Sequence, residues 1–191
     1  GIKRMTTGAF GIVFYCIAIN FAMTDWVMTL DPHWYSTIFG VWFVICNVLA
    51  AMSFAVFHIV PKAKQLPYSN HVNQNTTRDW GNMMLMLSMV WAYFTFSQFL
   101  IIWSGNIPEE VGYFHHRLQG FWNGLGTIVV VGQFFVPFML LLSGRTKRTP
   151  EYLKLVAGWI FCARIVDLFW NVGPFFVEVG KTGQISPFNL V

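Results

Sequence analysis

The feature that most limits what this chain can become is a series of five apolar runs, each long enough to cross a bilayer. They cover residues 8–30, 38–60, 82–104, 122–142 and 153–177. About 20 consecutive apolar residues span the hydrocarbon core as a helix. None of the runs shows the short alternating pattern of an outer-membrane barrel strand. In lipid the backbone finds no water, so each run must satisfy its own N–H and C=O groups as a helix. The expected fold is therefore all-α, a polytopic membrane helix bundle with five transmembrane helices over residues 1–191. Only 10% of the residues are charged, against about 25% in a soluble domain. That scarcity argues against a soluble globular enzyme, and the 55% hydrophobic content excludes a disordered chain.

Local punctuation supports the helices. Asp31-Pro32 predicts an N-cap followed by proline in the first turn of the second helix, and Thr149-Pro150-Glu151 predicts the same device before the fifth. Pro108-Glu109-Glu110 predicts a short interfacial helix between the third and fourth runs.

The basic residues are placed unevenly. Lys3, Arg4, Lys62, Lys64, Arg78, Arg145, Lys147, Arg148 and Lys154 fall on one side of the runs, and only Arg117 and Lys181 on the other. The positive-inside bias then predicts a cytoplasmic N-terminus, with loops 31–37, 105–121 and 178–191 facing outward. Topology thus accounts for the net charge of +4 without a nucleic-acid partner. Trp26, Trp34, Tyr35, Trp103 and Trp122 cluster near the outer ends and Trp80 at an inner end, where interfacial anchors belong. Cys16, Cys46 and Cys162 lie within apolar runs with no Cys-x-x-Cys spacing, and are expected to be buried inert thiols rather than metal ligands. His58 has no second intramembrane histidine to face it, so a haem held by this chain is not expected.

Ionisable groups at membrane depth are costly and mark candidate sites. The fifth run carries Arg164 and Asp167, whose i, i+3 spacing puts them on one helix face within pairing distance. An ion pair holding helices in register, a proton-path element and a ligand contact are all compatible with that spacing. Asp25 lies in the outer third of the first run, where it can act as a proton carrier or accept a hydrogen bond from Arg164 or a tryptophan. Tyr93, Thr95, Ser97 and Gln98 surround the centre of the third run, and Asn47 and Gln133 lie near the centres of the second and fourth. Interhelical hydrogen bonds explain such residues, as does a hydrated path through the bundle.

Three blocks carry a resemblance: DWVMTLDPHWYSTIFGVWF at 25–43, WAYFTFSQFLIIWSGNIPEE at 91–110 and RIVDLFWNVGP at 164–174. Together they resemble the F-type membrane subunit of bacterial alternative complex III, a quinol:cytochrome c oxidoreductase, within the polysulfide-reductase (NrfD-like) family. The chain looks like the C-terminal half of that subunit. The resemblance implies an integral subunit of the bacterial cytoplasmic membrane that binds no cofactor itself. It would pack against a sister NrfD-like subunit that binds quinol, with iron–sulfur clusters and c-type haems in other partner subunits. It also implies a proton path, for which depth and chemistry select Asp25, Tyr93, Gln98, Arg164 and Asp167. Two alternatives stand beside it. One is a quinone site in this chain near the outer interface, built on Asp31 and His33. The other is a secondary transporter, although Pro137 and Pro174 do not form the paired interruptions such proteins favour.

Overall fold

The structure is a computed structural model that describes residues 2–31, 34–63, 65–66, 68–70 and 72–182. His33, one of the two expected quinone contacts, lies outside the described residues, as do Pro32 and Lys64. Among the described residues, seven α-helices follow in order: α1 (Ile2–Trp26), α2 (Phe39–Ile59), α3 (Gln74–Gly105), α4 (Pro108–Arg117), α5 (Gly120–Leu142), α6 (Gly144–Arg148) and α7 (Pro150–Thr182). Five of them, α1, α2, α3, α5 and α7, are long and apolar enough to cross a membrane. Among the described residues there is no strand.

The helix ends follow local chemistry. Asn73 caps α3 by accepting a hydrogen bond from the Thr76 amide at 2.9 Å. The helix therefore starts at Gln74, ahead of the apolar run at 82, because a cap and not hydropathy fixes its first turn. Asn106 ends α3 in the left-handed region, at φ 47°. Pro108 then opens α4, and Pro150 with Glu151 in the first turn opens α7. Asp31 does not cap the second helix. Its amide bonds back to Met28 and its carbonyl accepts from Trp34, so it closes a tight turn, and α2 starts at Phe39.

The centre of the bundle is the α2–α7 pair, with α3 on α2 and α5 on α7. One end has an aliphatic core, including Leu49, Met84, Leu141, Leu153 and Ile160. The other end is aromatic, with Trp34, Phe39, Trp42, Phe43 and Trp91 packed together. The ends of α2, α3 and α7 near Lys62, Arg78 and Lys154 lie at the aliphatic core, through Val60, Trp80 and Leu153. There the Lys147 ammonium donates to Asn82 Oδ1 at 2.8 Å.

Helix α1 packs chiefly on α2. Phe10, Phe14 and Phe21 on it are 73%, 74% and 64% exposed. A stripe of that size would be prohibitive in water and is ordinary against acyl chains. The contact with α2 depends on Gly40. A Cβ added there would overlap Asn20 Oδ1 and lie 3.0 Å from Asn20 Cα.

Helix α5 is interrupted by a π turn at Val131–Phe135, immediately before Pro137. The Val136 amide reaches back five residues to Val131, and Pro137 has no N–H to offer Gly132. The orphaned Gly132 carbonyl is satisfied from α7, where Trp159 Nε1 donates to it at 2.8 Å. A tertiary donor thus stabilises a local defect, as a π turn in an apolar medium requires.

Candidate functional site

Arg164, Asp167 and Asn171 fall at i, i+3 and i+7 on α7 and form one inward stripe. They are 6%, 1% and 6% exposed. The Arg164 guanidinium donates through Nη1 to Asp167 Oδ2, so the expected pair forms within one helix. The Cys46 thiol from α2 lies beside Arg164. The Trp91 indole from α3 lies beside Asp167, without completing a hydrogen bond.

The stripe continues toward the aromatic end. Asn171 Nδ2 donates to the Asp167 carbonyl at 2.8 Å and to its Oδ1 at 3.3 Å. Asn171 Oδ1 in turn accepts from the Tyr113 hydroxyl at 3.0 Å. Arg117, one turn further along α4, locks this junction. It donates to the Tyr113 carbonyl at 2.8 Å and to the Asn171 carbonyl at 2.6 Å. Its guanidinium carbon lies 3.6 Å from the centre of the Tyr113 ring. Pro174 in the next turn of α7 cannot donate to Trp170, so the turn that Arg117 grips is one whose backbone bonding is already incomplete. Trp34 covers the other face of Tyr113, with ring centroids 4.0 Å apart.

A small cavity of about 30 Å³ adjoins Tyr113 and Asn171, lined also by Trp34, Thr95 and Gln98. It is large enough for a water molecule. Trp42 Nε1 donates to Thr95 Oγ1 at 3.0 Å, and the Ser36 hydroxyl donates to Gln98 Oε1 at 2.7 Å. Polar groups therefore succeed one another from Arg164 through Asp167, Asn171 and Tyr113 to Gln98 and Ser36.

Of the residues singled out from the sequence, this chain joins Arg164, Asp167 and Gln98. Tyr93 is 66% exposed on the outside of α3, and Asp25 is exposed on α1. Arg164 takes its carboxylate from Asp167 and not from Asp25. Asp31 is half-buried in the turn before α2. Two further sequence expectations need correcting. Trp34 is 3% exposed and stacks in the core instead of anchoring at the interface, because the turn at Asp31 swings it onto Tyr113. Arg117 is 6% exposed, so it belongs to the buried site as well as to the 105–121 connection. Cys162 is exposed on the outer face of α7 and is not a buried thiol. Sequence reasoning missed Asn171, Tyr113 and Arg117. The available signal was spacing: Asn171 follows Asp167 by one turn, and Arg117 follows Tyr113 by one turn.

Burial pushes the Tyr113 phenol above its usual value of 10, with Arg117 opposing the shift. Tyr113 therefore acts as a protonated donor. The folded phenol ionises above the unfolded one, so its contribution to stability is complete below pH 10 and is lost as pH rises beyond it. Tyr113→Phe is expected to lower stability by roughly 1–3 kcal/mol at neutral pH, since Asn171 Oδ1 loses its donor. It should also lessen the alkaline fall seen in the wild type. Thermal unfolding in detergent at neutral and alkaline pH checks both effects.

These features define a multi-pass helical membrane protein with a buried, charge-containing hydrogen-bond chain. No protein-family model matches the sequence, and no curated protein matches it.

Proposed function

We propose that the chain is an integral membrane subunit of a respiratory quinol:electron-acceptor oxidoreductase of the alternative complex III type. In this reading it scaffolds a quinol-oxidising sister subunit in a bacterial cytoplasmic membrane and conducts protons. The N-terminus and the basic end of the bundle face the cytoplasm. Iron–sulfur clusters and c-type haems reside in partner subunits, and this chain carries no redox centre.

The observation that supports the proton role is the buried succession Arg164–Asp167–Asn171–Tyr113, continued across a water-sized cavity to Gln98 and Ser36. Asp167 is the proton-bearing group, and Arg164 holds its carboxyl in place. Asn171 and Tyr113 relay toward the outer end. The three blocks that resemble the family contain Ser36, Gln98, Arg164, Asp167 and Asn171. The test is Asp167→Asn in the assembled complex reconstituted in vesicles, with protons released per quinol oxidised as the readout. The expected result is a proton yield reduced to that of quinol chemistry alone. An unchanged yield from an intact, fully active complex rejects the proton role.

A further inference from the structure

The first half of α1 stands away from the bundle. Residues 3–15 are exposed throughout, and the half-buried positions of α1 begin at Cys16. No atom lies within 4 Å of a Cβ placed at Gly8 or Gly11. On α2, Gly40, Asn47, Ala51, Phe54 and His58 recur at helical spacing and form one stripe. Helix α1 covers the start of that stripe, where Asn20 meets Gly40. It leaves the rest open: Phe54 is 49% exposed, and Ala51 and His58 are exposed. A wedge therefore opens between α1 and the α2–α7 pair, at the end of the bundle that holds the aliphatic core.

Its floor is aromatic. Phe57 lies against Gly158 of α7, where a Cβ would come within 3.0 Å of the ring. Phe54 meets Phe161 of α7, with ring centroids 5.4 Å apart. Cations gather where the floor reaches the helix ends. The Lys154 ammonium lies 5.4 Å from the centre of the Phe57 ring. The His58 ring lies 5.3 Å from that of Phe57 and 4.3 Å from that of Phe54. Lys62 follows His58 by one turn and is exposed, in the Val60–Lys62 turn that packs on α7. Among the described residues no carboxylate pairs with Lys62 or Lys154. Glu151, one turn before Lys154, is exposed at the start of α7.

An apolar floor that ends in unpaired cations suits an amphiphile with an anionic head. Depth separates that occupant from a further helix. The open stretch from Ala51 to Lys62 runs about 16 Å along the axis, half of a hydrocarbon core of about 30 Å. A spanning helix would run on into α1, which already occupies the stripe at Gly40. A phospholipid fills one leaflet only.

We propose that this wedge binds one anionic phospholipid. Lys154, Lys62 and His58 hold its phosphate, and Phe54 and Phe161 carry an acyl chain. The site requires only that the bundle lie in a bilayer, so it stands or falls separately from the proton role.

The test uses the complete protein, delipidated in detergent and returned to nanodiscs of dioleoyl-phosphatidylcholine with a minor share of dioleoyl-phosphatidylglycerol. Lipid retained on re-extraction is counted by native mass spectrometry. One phosphatidylglycerol per chain is expected, preferred over phosphatidylcholine by about tenfold or more. Lys62→Gln and Lys154→Gln should each weaken retention about fivefold. Ala51→Trp fills the floor from an exposed position and should weaken it about tenfold. Arg78→Gln with Arg145→Gln removes two exposed charges from α3 and α6, outside the wedge, and should leave retention unchanged. Equal retention of the two lipids, or a loss as large in the arginine pair as in the lysine variants, overturns the proposal, because general surface charge would then suffice. Unchanged retention in Ala51→Trp overturns it as well. In native membranes a photoreactive group at position 51 is expected to label phospholipid. Labelling of another polypeptide instead overturns the proposal, since a protein would then fill the wedge.

Discussion

Asp167→Ala is expected to destabilise the bundle by roughly 3–5 kcal/mol, because it leaves the Arg164 guanidinium buried without its counter-charge. Arg164 is 6% exposed and receives its only carboxylate among the described residues from Asp167. Asn171 would also lose one of its two acceptors, the Asp167 side chain, while keeping the backbone carbonyl. Removing both charges has a different consequence. The double variant Arg164→Met with Asp167→Leu is expected to unfold at or above the wild-type temperature, since apolar replacement of a buried pair is commonly neutral or stabilising. The same double variant should lose the proton function. Thermal unfolding in detergent and proton yield in vesicles together separate the structural worth of the pair from its chemical use. Equal destabilisation by the single and double variants would show that the charge imbalance is not the cause.

The second large effect concerns the attachment of α1. Gly40→Ala is expected to destabilise the α1–α2 contact by roughly 1–3 kcal/mol, the usual range for overpacking. The added Cβ would lie 2.6 Å from Asn20 Cγ and overlap its Oδ1. Gly11→Ala provides the opposite sign from the same chemistry. Nothing lies within 4 Å of a Cβ at Gly11, so alanine there should be neutral or stabilising by up to about 1 kcal/mol through helix propensity. Adding Asn20→Ala to Gly40→Ala should recover much of the loss, because it removes the nearest clashing atoms. Comparison of the four unfolding temperatures checks the argument, and a destabilising Gly11→Ala would count against it.

Much of the architecture was legible in the sequence because lipid leaves the backbone few choices. Five apolar runs became five spanning helices. The Thr149-Pro150-Glu151 start was readable because proline and a carboxylate act within a single turn. The Arg164–Asp167 pair was readable for the same reason, since an i, i+3 spacing on a helix is a distance. Asp31 misled because a cap-like residue also suits a tight turn, and the bond from Trp34 to its carbonyl decided between them.

The burial of Arg117 and Trp34 was not legible for a different reason. An arginine in a polar connection and a tryptophan near a span end are ordinary surface residues by sequence alone. Their burial arises only when α4 folds back over α7 and brings Tyr113 within 3.0 Å of Asn171. The π turn in α5 was equally hidden, because its free carbonyl is satisfied by Trp159 from another helix.

The sequence by itself determined the number of spanning helices, the segregation of basic residues and the ion pair on α7. Each is set by hydropathy, by solvation of charge or by spacing along one chain. Only the tertiary structure decided which polar groups meet, since contacts between residues 58 positions apart depend on how helices cross and not on what any one of them contains.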